Sequence, residues 1–106
     1  MDTCVIVLTT LPADADAESF GRALVDERLA ACVNVLPAMQ SIYRWQGAAE
    51  TASERQIVIK TSEERIEDVK ARIAALHPYE VPELLILHVM DGANAYLKWI
   101  EESTRV

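Results

Sequence analysis

The residues best suited to chemistry are carboxylates, aromatic rings and one lysine near the ends of the predicted strands. The set consists of Trp45, Glu54, Lys60, Tyr79 and Glu83. Charges and rings beside a rigid turn can meet in a cleft between subunits and bind a small ligand. With its lysine, such a pocket would tolerate an anion. The competing interpretation is that these residues form ion pairs and packing contacts in an oligomer interface.

Metal binding is a second chemistry to consider, because copper-like ions prefer thiolate, thioether and imidazole ligands. The available donors are Cys4, Cys32, Met39, His77, His88 and Met90. None of them forms a local motif, and the cysteines do not form a C-x-x-C pair. His77 is the candidate metal ligand. Its alternative role is structural, because a histidine at a helix C-terminus interacts favourably with the helix dipole.

Motifs of common enzyme classes are absent from the sequence. It contains no G-x-S-x-G, H-E-x-x-H or G-x-x-x-x-G-K pattern, and only 3 glycines are available to build loops that approach a ligand closely. We therefore expect a protein that is not an enzyme. A hydrolase or transferase that uses Glu54, Lys60 and Tyr79 is the remaining catalytic alternative.

Length and charge restrict the partners. A chain of 106 residues predicts one domain over residues 1–106, and a net charge of -7 argues against nucleic acid or an anionic membrane as the main partner. No apolar run approaches the roughly 20 residues that cross a bilayer. Met1-Asp2-Thr3 is not the basic start of a secretory signal. These features predict a soluble cytoplasmic protein.

The segment 77–83 must position several of the candidate side chains. Pro78 and Pro82 fix their own φ near about -65° and push the residues before them toward extended conformations. Tyr79, Glu80 and Glu83 are therefore presented on a stiff connector between a helix and a strand.

The first half of the chain predicts a strand, a helix and a long hairpin. The strand covers residues 4–8 and a loop covers 9–12, after which Asp16 caps a helix. Residues 32–36 and 41–45 form a strand that Pro37 bends, which favours a bulged edge position. Gln46-Gly47 offers the turn toward a strand at residues 56–60, so Trp45 lies at the hairpin tip.

The second half predicts a helix, a strand and a last helix. Thr61 and Glu64 have the spacing of a capping box, and the helix that follows must end before Pro78. Residues 84–89 form a strand, and Tyr96, Trp99 and Ile100 share one face of the last helix. The order βαββαβα predicts an α+β, ferredoxin-like sandwich with an additional C-terminal helix.

Several predicted strands are apolar on both faces. Residues 5–8, 57–59 and 84–87 do not alternate with polar residues, which is typical of strands that are buried on both sides. The two main helices cover one face of the sheet, and one short helix is too small to cover the other. We therefore predict a homo-oligomer that packs sheet to sheet.

Five segments in the same order resemble the CutA divalent-cation tolerance family. They are residues 31–35, 41–47, 59–61, 77–83 and 96–100. The resemblance implies a ferredoxin-like subunit, a homotrimer similar to the PII signalling proteins, and a link to tolerance of copper and other divalent ions. It also implies metal binding through a first-strand cysteine and two successive histidines. Thr9, Leu76 and His77 occupy those three positions here.

Two functional hypotheses follow. The first is a non-enzymatic homotrimer that binds copper, another divalent ion or a small ligand in the clefts between subunits. The alternative is a PII-like signalling or scaffolding trimer that binds a small metabolite or anion there, with Trp45 contacting another protein.

Overall fold

The computed structural model describes residues 3–106. Met1 and Asp2, which belong to the segment used to argue against a secretory signal, lie outside the described residues. Four strands and three α-helices follow one another in the predicted order, βαββαβα. The strands are β1 (Cys4–Pro12), β2 (Cys32–Trp45), β3 (Ala48–Ser62) and β4 (Leu85–His88), and the helices are α1 (Ala17–Asp26), α2 (Ile66–Leu76) and α3 (Asn94–Ser103). None of the helices within residues 3–106 is long and apolar enough to cross a bilayer.

The four strands form one antiparallel sheet in the order β2-β3-β1-β4, as in a ferredoxin-like sandwich. Helices α1 and α2 cover one face, where the main core lies. Its fully buried members include Val5, Leu24, Ile59, Val69 and Ile73. Helix α3 covers one end of the opposite face, called the second face below, through Ile100, Cys4 and Ala31. The structure thus confirms the predicted α+β fold class.

Helix α1 begins as its sequence predicts. Asp16 Oδ1 accepts a hydrogen bond of 3.0 Å from the backbone N–H of Ser19, and its Oδ2 accepts one of 2.8 Å from the Ser19 hydroxyl. Both bonds lower the pKa of the Asp16 carboxyl, and the bond from the backbone N–H has the larger effect. Asp16 is therefore the N-cap residue of α1.

Two local predictions are wrong. Residues 9–12 are not a loop but the end of β1, because β3 extends far enough to pair with Pro12 through Glu54. Thr61 does not cap α2, because it lies inside β3 and its Oγ1 donates to the carbonyl of Leu29 at 2.7 Å. A 3₁₀ turn, Glu63–Arg65, precedes α2 instead, without a side-chain capping bond.

The bulge near Pro37 decides which side chains of the hairpin lie on the second face of the sheet. The pairing with β3 shifts by one residue between Val35 and Ala38: β2 uses three residues to cover a stretch in which β3 uses two. Val35 lies on the helix side of the sheet, opposite the buried Ile57, whereas after the slip Tyr43 lies opposite Glu50 on the other side. The part of the hairpin beyond the slip, residues 38–53, is called the arm. It extends past the end of β1 and gives the subunit its 45 Å long axis.

The second face carries an apolar strip that one subunit leaves uncovered. Leu85 and Leu87 on β4 are 55% and 50% exposed, and their partners on β1 are Leu8 and Ile6. Val58 lies beyond Leu8 on β3. We define the apolar strip by these five residues.

Candidate functional site

A cleft of about 830 Å³ lies between the arm and the connector that joins α2 to β4. Four of the five residues predicted to form a pocket line it: Trp45, Glu54, Tyr79 and Glu83. The strand β3 supplies the carboxylate at the base, and the stiff connector brings the phenol and the second carboxylate from the other side. One subunit therefore brings these four residues together.

Glu54 is the most enclosed charged group of the cleft. The Glu54 residue is only 8% exposed to solvent. The Oε2 atom accepts a hydrogen bond of 2.8 Å from the Tyr79 hydroxyl and one of 3.4 Å from the Thr10 hydroxyl. Two donors on one oxygen hold the carboxylate in a fixed orientation, with Oε1 left as an acceptor.

Tyr79 titrates differently from a free tyrosine because of this position. Burial raises the pKa of Tyr79 to about 12, and the hydrogen bond to Glu54 and the negative charge of that carboxylate act in the same direction. The phenol therefore keeps its proton, and its role as a hydrogen-bond donor, well into the alkaline range.

His77 fastens the connector to β1. Its Nε2 lies 2.6 Å from the carbonyl oxygen of Thr10, and its Nδ1 accepts a hydrogen bond of 3.1 Å from the backbone N–H of Tyr79. A carbonyl can only accept and a backbone amide can only donate, so the ring carries its proton on Nε2. Both nitrogens of the predicted metal ligand are thus engaged, and the ring is nearly buried.

Gln56 positions the second carboxylate. Its Nε2 donates to Glu83 Oε2 at 2.8 Å and to the carbonyl of Thr9 at 2.8 Å. Sequence reasoning missed Gln56, although it lies two residues from Glu54 and so faces the same side of β3. Tyr43 and Glu50 were also missed, and their direct pairing across the hairpin was the available signal.

Lys60 lies apart from the other predicted residues. It is six residues from Glu54 along β3, roughly 20 Å at a rise of about 3.4 Å per residue. Its Nζ lies 5.8 Å from the ring centre of Tyr96 on α3. Within one subunit, the structure does not assemble Glu54, Lys60 and Tyr79 into one catalytic constellation.

The charge of the cleft is negative. Its lining includes the carboxylates of Glu50, Glu54, Glu80 and Glu83, and no lysine, arginine or histidine belongs to the lining within residues 3–106. These carboxylates are spread out: the described part of the chain holds no group of three His, Cys, Asp or Glu residues placed to hold a metal ion. One subunit alone therefore offers an acidic surface for a cation but not a complete metal site.

A family model described as CutA1 divalent ion tolerance protein matches residues 5–103. The chain belongs to the CutA1 family. The predicted resemblance is confirmed, and the family is named for tolerance of divalent ions rather than for a reaction.

Curated CutA relatives match over nearly the whole chain. A divalent-cation tolerance protein CutA from Thermus thermophilus is 44% identical over 99 residues, which cover 93% of this chain and 96% of the relative. One from Pectobacterium atrosepticum is 41% identical, covering 95% and 92%. A protein named CutA, chloroplastic, from Arabidopsis thaliana is 36% identical and covers 95% of this chain but 56% of the relative.

Solved CutA structures have the same fold. The Cut A1 divalent cation tolerance protein from Thermus thermophilus has a TM-score of 0.91 at 43% identity, covering 99% of this chain and 100% of that one. CutA from Xylella fastidiosa has a TM-score of 0.92 at 42% identity, covering 96% and 98%. The ferredoxin-like architecture is thus the architecture of CutA proteins.

Proposed function

We propose that this CutA family member acts in divalent-cation tolerance as a non-enzymatic homotrimer that binds a cation in the acidic cleft. The charge of the cleft carries the proposal: four carboxylates line it, and its described lining residues include no cationic side chain. Carboxylate oxygens are favoured ligands of hard divalent ions. A cleft lined by negative charges also raises the local concentration of cations.

Assembly is part of the proposal because one subunit is incomplete in two respects. The apolar strip leaves Leu85 and Leu87 half exposed, and burial against other copies would remove them from water. The cleft also lacks a full ligand set within residues 3–106. A neighbouring copy is proposed to cover the strip and to supply the missing ligands.

Copper binding at His77 would require one of its two hydrogen bonds to break. We therefore expect copper titration of the His77→Ala variant to give the same stoichiometry as the unmodified protein. The variant loses two hydrogen bonds, so both titrations are run at a temperature at which circular dichroism finds both proteins fully folded. A lost copper equivalent would assign His77 to the metal site.

The cation site is tested by calorimetric titration of Mn²⁺ into the unmodified protein and into the Glu54→Gln/Glu83→Gln double variant. We expect the double variant to bind at least about tenfold more weakly, because both ordered carboxylates lose their charge. Glu64→Gln is the matched control, since Glu64 is an exposed carboxylate outside the cleft. Equal affinity in all three proteins would refute the proposed site.

A PII-like role with a small organic ligand is the second candidate. It is supported by the size of the cleft, about 830 Å³, which suits a small molecule better than a bare ion. The anionic version of this hypothesis is disfavoured, because Lys60 lies outside the cleft of its own subunit and the lining carboxylates repel an anion.

A further inference from the structure

The cleft has aromatic walls that a divalent ion does not need. Tyr43 and Trp45 from the arm and Tyr79 from the connector all line it. Trp45 is 50% exposed, so part of its ring remains available to a ligand. Aromatic faces attract organic cations through their quadrupole, most strongly at tryptophan.

The acidic groups are arranged for directional hydrogen bonding. The Glu54 residue is more than nine-tenths buried, and its Oε2 already has two donors. No described residue donates to its Oε1, although Glu54 belongs to the cleft lining. A carboxylate oxygen that no protein group contacts, beside aromatic rings, is a good acceptor for a charged N–H group.

Volume and spacing favour a ligand larger than an ion. The cleft lies within the range of roughly 300–1,000 Å³ that is typical of small-molecule sites. The carboxylates are too dispersed to form a three-ligand metal cluster in the described chain, but a guanidinium or ammonium ion on an alkyl stem can contact separated groups.

We propose that the cleft also binds a small organic cation, an alkylguanidinium or alkylammonium, with its charged head on Glu54 and its stem against Trp45 and Tyr43. The proposal rests on the proposed function only in that both use the same cleft. The ion needs the carboxylates alone, whereas the organic cation needs the carboxylates and the rings.

The test uses n-butylguanidinium as the probe and n-butylurea as its neutral counterpart of similar shape. The assembled protein carries Trp99→Phe, so that Trp45 is the remaining tryptophan of the 2 in the sequence and reports contact by fluorescence. We expect saturable binding of butylguanidinium, confirmed by calorimetry, and at least tenfold weaker binding of butylurea. Equal binding of the two probes would overturn the proposal.

Two variants separate this inference from the proposed cation site. Trp45→Leu is expected to weaken butylguanidinium binding about tenfold, read by calorimetry, and to leave Mn²⁺ binding unchanged, whereas Glu54→Gln weakens both. Trp45→Phe should restore part of the lost guanidinium affinity, which a general folding defect would not. Unchanged guanidinium affinity in Trp45→Leu overturns this inference alone. Unchanged Mn²⁺ affinity in Glu54→Gln and in the Glu54→Gln/Glu83→Gln double variant overturns the ion site alone.

Discussion

Two buried threonines of the sheet differ in how their hydroxyls are satisfied. Thr61 donates to the carbonyl of Leu29. The Oγ1 of Thr9 is buried and has no hydrogen-bond partner among the described residues. A buried polar group without a partner costs roughly 1–3 kcal/mol.

Thr9→Val should therefore stabilise the subunit. The substitution keeps the β-branched shape, removes the unpaired hydroxyl and is expected to raise the free energy of unfolding by about 1 kcal/mol. Thr61→Val is the matched control and should lower it by about 1 kcal/mol, because the Leu29 carbonyl loses its donor. Urea titration of both variants checks the signs. A loss of stability in Thr9→Val would mean that the hydroxyl has a partner in solution.

Tyr79 predicts a specific loss of stability in alkali. The folded state holds the phenol proton with a pKa of about 12 against the usual 10.0, so the unfolded state loses that proton first. The contribution of Tyr79 is fully present below about pH 10 and disappears as the pH rises toward about 12. The stability difference between the unmodified protein and Tyr79→Phe should shrink over that window. A constant difference would contradict the prediction.

At the scale of single residues, the sequence predicted which side chains line the cleft better than it predicted the hydrogen bonds that position them. Alternation along a strand places Glu54 and Lys60 on the same side of β3, and only the length of the strand separates them. The bonds from Gln56 to Glu83 and from His77 to Thr10 join residues far apart in sequence. Such contacts depend on tertiary placement, which residue types do not encode locally.

At the scale of elements, local signals succeeded where the chain acts locally. Pro37 predicted the irregular edge strand, Asp16 the start of α1 and Pro78 the end of α2. The capping-box pattern at Thr61 failed because pairing with β1 extends β3 past it. Residues 9–12 were misassigned for the same reason, since strand pairing overrides local propensity.

The hairpin turn offers a direct test of local encoding. Gln46 and Gly47 have φ values of 48° and 83°, which is the left-handed pair that a type I′ turn requires. Gln46→Asn should raise the free energy of unfolding by a few tenths to about 1 kcal/mol, and Gly47→Ala should lower it by about 1 kcal/mol. No atom lies within 4 Å of a Cβ built at Gly47, so a loss there would reflect backbone conformation rather than a clash. Thermal denaturation of both variants measures the effects.

At the scale of the whole molecule, the apolar strip is the feature that the sequence anticipated most directly. Unbroken apolar runs predicted strands with two buried faces, and one subunit buries only the helix side fully. The number of copies and the cytoplasmic location stay predictions.

Leu87→Asp should dissociate the proposed homotrimer. The change places a charge in the strip, where burial between copies would remove it from water at a large cost. Sedimentation velocity at micromolar concentration should find a trimer for the unmodified protein and smaller species for the variant. Met90→Asp is the control, because Met90 is 98% exposed and lies beyond β4. A folded monomer of the unmodified protein would refute the proposed assembly.

The one-residue slip in β2 has a consequence for how sequences of this kind can diverge. Deleting one residue between Val35 and Ala38 would leave two residues of β2 against two of β3, which removes the slip without moving the arm. Tyr43 would still pair with Glu50, because the turn at Gln46 and Gly47 fixes the register of the hairpin from its tip. A single-codon deletion there could thus straighten the edge strand and leave the aromatic wall of the crevice intact.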